Sequence, residues 1–193
     1  RVLFRSGAYL ADGSEYDGRY GLSSRELEDF HRERFRILAQ SDVDLLALET
    51  IPSLPEVEAL TRLLAVEEGR WAWISFSCRD GRRLADGSPV ADAARVCSRT
   101  PRIAGVGVNC MAPEHVAELL GELRSATSLP LLVYPNSGEE YDASRKAWTG
   151  ASAVVDWGAA SAAWVSAGAS VVGGCCRVGP EQITEMRAHL VRG

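Results

Sequence analysis

The chain has 193 residues, 46% hydrophobic and 24% charged, which is enough for one sizeable core and excludes a disordered chain. A net charge of -5 and scattered basic residues argue against a nucleic-acid partner. The longest apolar runs are far shorter than the roughly 20 residues that cross a bilayer, so we expect no membrane segment and no membrane partner. One domain over residues 1–193 is the expectation.

The elements alternate between strand and helix in chain order. Residues 1–22 read as a long loop after a strand that is barely represented, and an amphipathic helix follows over 23–40. The predicted strands cover 43–50, 71–78, 103–110, 129–136 and 169–176. The other predicted helices cover 54–68, 89–99, 113–125, 151–167 and 180–191, several with proline or serine at the first turn.

The spacing of these strands predicts the fold class. Strands begin about thirty residues apart, which is the length of a βα unit and implies a parallel sheet. Strand runs that are apolar on both faces favour a sheet covered by helices, as in a doubly wound sheet or a (β/α)₈ TIM barrel. We favour an incomplete barrel of about five C-terminal units, because unusual residues stand at the end of several strands and a barrel brings such ends together.

Three of the five cysteines stand at strand ends. Cys110 closes one predicted strand, and Cys175 with Cys176 closes another two units later. Three thiolates that meet at the barrel mouth would bind zinc and leave its fourth position open, as in a catalytic site. The pattern also fits one core cysteine beside an incidental one. An odd number of cysteines favours a reducing compartment, so we expect a cytoplasmic protein.

The same residues carry a resemblance to a known family. The motifs "GVGVNC" and "GGCCR", with "LLALETIP" upstream and "YPNSGE" between them, resemble the homocysteine S-methyltransferase family of zinc-dependent (β/α)₈ barrels. Further matching segments, "GAYLADGSEY", "SFSCRDG" and "LADGSP", extend the resemblance over nearly the whole chain from about Gly7. They look closer to the branch that uses S-methylmethionine or S-adenosylmethionine than to relatives that use betaine or folate.

This resemblance implies a reaction and a set of site residues. Cys110, Cys175 and Cys176 would hold Zn²⁺, and the thiol of homocysteine would take the fourth position and attack the methyl group of a sulfonium donor. Glu49 would hold the ammonium group of the amino acid; it could instead satisfy a neighbouring helix or backbone group. From its position alone, Asn109 could orient the site through a hydrogen bond or simply cap its strand. The amides of Gly173 and Gly174, or those of the turn after Cys176, could bind the carboxylate of the amino acid.

The chain departs from the family pattern at its start. The family begins with a strand that carries a "DGG"-type motif, and no such motif precedes Gly7. We therefore expect an N-terminally truncated sequence. The alternative to a working methyltransferase is then a catalytically inactive fragment that binds zinc or senses thiols. A barrel that binds phosphate through the Gly173 and Gly174 loop is a weaker alternative, because adjacent cysteines contribute nothing to phosphate binding.

Overall fold

The computed structural model describes residues 17–67, 69–142 and 147–191, with the side chains of 140–142 left aside. The first part of the predicted N-terminal loop, residues 1–16, lies outside the described residues. The helices are α1 (Ser24–Ala39), α2 (Leu54–Val66), α3 (Val90–Ser98), α4 (Val116–Ala126), α5 (Trp157–Ser166) and α6 (Pro180–Leu190). The strands are β1 (Leu46–Ile51), β2 (Ala72–Phe76), β3 (Ile103–Asn109), β4 (Leu131–Tyr134), β5 (Glu140–Asp142), β6 (Ala147–Thr149) and β7 (Ala169–Val172).

Five strands form one parallel sheet in the order β1, β2, β3, β4, β7. Sequence order and spatial order agree, and a helix connects each pair, as repeated βα units require. The predicted α/β class and the five predicted strands are therefore confirmed. All five carboxyl ends lie at one edge of the sheet, which is where chemistry is expected in such folds.

Local signals explain most of the element boundaries. Ser23 and Glu26 form a capping box that starts α1. The helix predicted from residue 151 begins only at Trp157, because the Asp156 side chain accepts a bond from the Ala159 amide and caps it there. The sequence predicted no strand between β4 and this helix, whereas β5 and β6 pair there as a small antiparallel hairpin. The later start of α5 and the presence of this hairpin correct the sequence prediction.

Glycines on β3 let the sheet pack closely at its centre. A Cβ atom added to Gly107 would lie 2.0 Å from the Leu132 carbonyl oxygen on β4, and one added to Gly105 would lie 2.9 Å from the Pro130 carbonyl oxygen. Real Cβ atoms do not approach backbone so closely, so only glycine fits at Gly107. The sheet and its helices enclose one main hydrophobic core that includes Leu48, Ile74 and Val106. Among the described residues, no helix is both long and apolar enough to cross a membrane.

Candidate metal centre

The three predicted cysteines meet at the carboxyl edge of the sheet. Cys110 directly follows β3, while Cys175 and Cys176 follow β7, with β4 between the two strands. The sulfur atoms of all three lie within 4.8 Å of one another. The Cys110 and Cys176 sulfurs are 3.6 Å apart, and Cys110 is joined to Cys175 as a disulfide with the two Cα atoms 5.5 Å apart. Among the described residues this is the one cluster with the donor set for a metal ion.

The spacing of the cysteines fits a tetrahedral zinc ion once the thiols are reduced. Four sulfur ligands at about 2.3 Å from a zinc ion lie about 3.8 Å from one another. The 3.6 Å separation of Cys110 and Cys176 is close to that value. The Cys175 sulfur lies within 4.8 Å of both other sulfur atoms. Reduction of its disulfide with Cys110 would therefore leave three thiolates around one point. Three soft donors with an open fourth position are typical of a zinc site that takes a substrate.

The end of β4 holds both cysteine segments in place. The Cys110 amide donates to the Tyr134 carbonyl at 3.3 Å, and the Cys175 amide donates to the Pro135 carbonyl at 2.8 Å. The Ser137 amide then donates to the Cys176 carbonyl at 3.1 Å. Cys110 itself has a φ of 51°, a left-handed conformation that turns the chain sharply out of β3. The cysteines are therefore fixed by backbone contacts to one shared strand end.

A network of polar side chains crosses the concave side of the sheet beside the cysteines. The Tyr134 hydroxyl donates to Glu49 Oε2 at 3.2 Å and lies 2.5 Å from the Ser75 hydroxyl. Ser75 is also 2.8 Å from Asn109 Oδ1. Asn109 completes the network with Thr50, whose amide donates to Asn109 Oδ1 at 2.9 Å and whose hydroxyl accepts from Asn109 Nδ2 at 2.8 Å. These five side chains come from four different strands, so Glu49 is tied to the same frame as Cys110.

Two other predicted site residues are placed by contacts of their own. The Gly173 amide donates to the Val133 carbonyl at 2.9 Å, so it continues the pairing of β7 with β4. A Cβ atom added to Gly174 would collide with the Val178 side chain, so the turn before the cysteines is tightly closed. The role of Gly173 and Gly174 in carboxylate binding stays a prediction. Gly174 is the stronger candidate of the two, because the Gly173 amide already donates to the Val133 carbonyl.

An ion pair closes the loop after the cysteines. Arg177 makes two contacts with the Glu139 carboxylate, at 3.0 and 3.3 Å, and the Ser137 hydroxyl donates to the same carboxylate at 2.6 Å. The Arg177 guanidinium and the Ser137 hydroxyl lower the pKa of Glu139 below its ordinary value. Arg177 is thus engaged with Glu139, which joins the loop before β5 to the turn that carries Cys176.

Burial raises the pKa of one phenol and two thiols outside the cysteine cluster. Burial raises the pKa of the Tyr134 phenol, and the negative charge of Glu49 adds to that shift. The pKa values of Cys78 and Cys97 are also raised, chiefly by burial. Cys97 lies inside α3 in the core. The thiols of Cys78 and Cys97 therefore stay protonated near neutral pH.

Sequence reasoning overlooked the frame around Glu49. The sequence patterns assigned no role to Ser75 or Tyr134. Side chains alternate between the two faces of a sheet along each strand. Counting in steps of two along β2 and β4 could therefore have predicted which face of the sheet Ser75 and Tyr134 share. The reciprocal bonds between Asn109 and Thr50 have no sequence signal, because β1 and β3 are not neighbours in the sheet.

Comparisons with known proteins agree with this geometry. The family model described as Homocysteine S-methyltransferase matches residues 5–190. The chain belongs to the homocysteine S-methyltransferase family. It is 48% identical over 182 residues to Homocysteine S-methyltransferase YbgG of Bacillus subtilis, a match that covers 94% of this chain and 58% of that protein.

Solved structures of the homocysteine methyltransferase MmuM from Escherichia coli show the same fold. The metallated form superposes with a TM-score of 0.81 at 38% identity, covering 97% of this chain and 59% of that one. The form described as oxidized superposes with a TM-score of 0.79 at 39% identity, covering 93% and 57%. The five-stranded unit therefore corresponds to part of a homocysteine S-methyltransferase barrel, and the chain spans somewhat more than half the length of these relatives.

Proposed function

We propose that this chain carries the zinc and homocysteine sites of an enzyme that transfers a methyl group from a sulfonium donor to homocysteine, forming methionine. The observation that supports it most directly is the meeting of Cys110, Cys175 and Cys176 at one edge of a sheet that belongs to this family. Both S-methylmethionine and S-adenosylmethionine present the required methyl sulfonium group.

Cys110, Cys175 and Cys176 are the residues that would hold the zinc ion. Bound by three thiolates, a zinc ion would lower the pKa of the homocysteine thiol and keep its sulfur electron-rich for attack on the methyl group. The protein has to hold these thiolates in place and to position the methyl group in line with the sulfur. The backbone contacts from the end of β4 supply the first requirement.

Glu49 is suited to bind the ammonium group of homocysteine. Glu49 is the one partly buried residue of the otherwise buried strand β1, so part of its side chain stays accessible to a substrate. A carboxylate beside a bound ammonium group forms a charge-assisted hydrogen bond, which is stronger than a neutral one. The carboxylate of the amino acid would then face the turn that contains Gly174.

A second candidate function rests on the edges of the sheet. Among the described residues β1 pairs with β2 alone and β7 pairs with β4 alone, which leaves both edges of the sheet open. A five-stranded unit with open edges would bind zinc and thiols without turning over. A reducing compartment, as the free cysteines favour, would keep the thiols available in either case.

A methyl-transfer assay tests the proposal. Homocysteine is mixed with S-methylmethionine or S-adenosylmethionine carrying a labelled methyl group, and labelled methionine is measured for this chain and for the same chain extended to the length of its relatives. We expect transfer in the extended protein and its loss on Cys175→Ala, with Cys78→Ala as the matched control. Full activity of Cys175→Ala would contradict the metal assignment. Zinc binding without transfer in both proteins would favour the second candidate.

A further inference from the structure

The side chain of Glu49 is held by groups that reach it from distant strands. Three strand spacings separate β1 from β4, which is about 14 Å along a flat parallel sheet. The Tyr134 hydroxyl nevertheless lies 3.2 Å from Glu49 Oε2. The sheet is curved enough to bring a long side chain of β4 against the end of β1, so Tyr134 bridges the concave face.

Proton counting fixes the direction of this bridge. An ionised carboxylate has no proton to donate, so the phenol must donate its single proton to Glu49. The Ser75 hydroxyl donates to Asn109 Oδ1 at 2.8 Å and lies 2.5 Å from the phenol oxygen, so it contacts both Asn109 and Tyr134. Ser75 is fully buried, so it has no water to replace either partner. Removal of one hydroxyl therefore leaves the remaining polar groups poorly satisfied.

The anchor of the network is itself rigid. Asn109 and Thr50 are buried, and they bind each other through two hydrogen bonds. Thr50 has a φ of 63°, which is uncommon for a β-branched residue and directs the chain immediately after Glu49. Glu49 is thereby fixed from two sides, by the backbone of Thr50 and by the phenol of Tyr134.

We propose that Tyr134 and Ser75 are positioning residues that orient the Glu49 carboxylate toward the ammonium group of an amino-acid thiol, and so make the site selective for homocysteine over thiols without that group. This inference rests on the proposed function, since it takes Glu49 as the ammonium-binding residue. Tyr134 and Ser75 act through Glu49 and need not contact the reacting sulfur. Their loss is expected to change which thiol binds while leaving metal binding intact.

The test uses the reduced chain loaded with Co²⁺ in place of zinc. Thiol binding is followed by the sulfur-to-cobalt charge-transfer band for homocysteine and for 4-mercaptobutanoate, which has the same thiol and carboxylate but no ammonium group. We expect the wild-type chain to prefer homocysteine. Tyr134→Phe should reduce that preference by about tenfold, as expected for a lost hydrogen bond to a charged group, and should leave the affinity for 4-mercaptobutanoate unchanged within about twofold.

A double-mutant cycle separates positioning from general damage to the fold. In a Glu49→Gln background, adding Tyr134→Phe should leave the preference unchanged, because the group it positions has lost its charge. Ser75→Ala should also reduce the preference for homocysteine, by less than Tyr134→Phe does. Ser98→Ala, which removes a hydroxyl on α3, should keep the wild-type preference. An unchanged preference in Tyr134→Phe, or an equal loss for both thiols, would overturn the inference. No spectral response to either thiol in the wild-type chain would instead overturn the proposed function together with it.

Discussion

Asn109 and Thr50 exchange two hydrogen bonds although their strands are not neighbours in the sheet. The Thr50 amide donates to Asn109 Oδ1 at 2.9 Å, and Asn109 Nδ2 donates to the Thr50 hydroxyl at 2.8 Å. The bonds pass over β2, which lies between β1 and β3. One amide side chain therefore joins the residue after Glu49 to the residue before Cys110, and so couples the predicted ammonium site to the predicted metal site.

Removal of this amide should destabilise the fold measurably. Asn109→Ala leaves the buried Thr50 amide and hydroxyl without their partner, and we expect a loss of about 2 to 4 kcal/mol in the free energy of unfolding. Thr50→Val removes only the hydroxyl and should cost about 1 kcal/mol. Urea unfolding measures both changes. Equal stability of Asn109→Ala and wild type would show that the interaction contributes nothing to the fold.

Close packing of β3 against β4 predicts intolerance at Gly107. Gly107→Ala places a Cβ atom 2.0 Å from the Leu132 carbonyl oxygen, where the backbone has to move. We expect a loss of about 3 kcal/mol or failure to fold. Gly121→Ala is the matched control: Gly121 lies within α4 with open space at the Cβ position, and alanine there should stabilise the chain by about 0.5 to 1 kcal/mol. Thermal unfolding of the two variants measures both changes in stability. Similar changes at Gly107 and Gly121 would contradict the packing argument.

Buried Cys97 predicts a loss of stability in alkali. Burial raises the pKa of this thiol in the folded chain, whereas in the unfolded chain the pKa is near its ordinary value of about 8.5. Below that pH both states keep the proton and stability is unaffected. Above it only the unfolded chain releases the proton, so stability falls as pH rises, by up to about 1.4 kcal/mol per pH unit. Urea unfolding of the reduced chain at pH 8 and pH 10 should show a smaller fall in Cys97→Ala than in wild type; equal falls would exclude this thiol as a cause.

The ion pair between Glu139 and Arg177 is expected to restrict the access of reagents to Cys176. Glu139→Gln keeps the size of the side chain and removes the charge that holds Arg177. Global stability should change little, because exposed ion pairs contribute about 0 to 1 kcal/mol. Reaction of Cys176 with a thiol reagent, in reduced and metal-free chain, should become about two- to fivefold faster. Glu114→Gln is the control, because Glu114 is exposed in the one-turn 3₁₀ helix Pro113–His115 that precedes α4. Equal rates in the two variants would show that the ion pair does not restrain the turn.

Much of this architecture could be predicted from the sequence. Apolar runs at regular spacing predicted all five parallel strands, and strand-end cysteines predicted the cluster of Cys110, Cys175 and Cys176. Both are local patterns whose consequences follow from the geometry of βα units.

The remaining features depend on distances that no local pattern encodes. The hairpin of β5 and β6 consists of two short strands, and the start of α5 is set by a single capping side chain, Asp156. The bridge from Tyr134 to Glu49 joins positions 85 residues apart and requires the curvature of the whole sheet. Side-chain networks of this kind become visible only when the strands are placed in three dimensions.

The measurement that tests the central claim most directly is the zinc content of the chain after reduction and exposure to zinc, by elemental analysis of folded protein. We predict about one zinc per chain in wild type and in Cys97→Ala. We predict loss of bound zinc in Cys110→Ala, Cys175→Ala and Cys176→Ala, since two remaining thiolates do not complete the site. A folded, reduced wild-type chain without zinc, or full zinc content in the three site variants, would contradict the assignment of these cysteines as the metal centre.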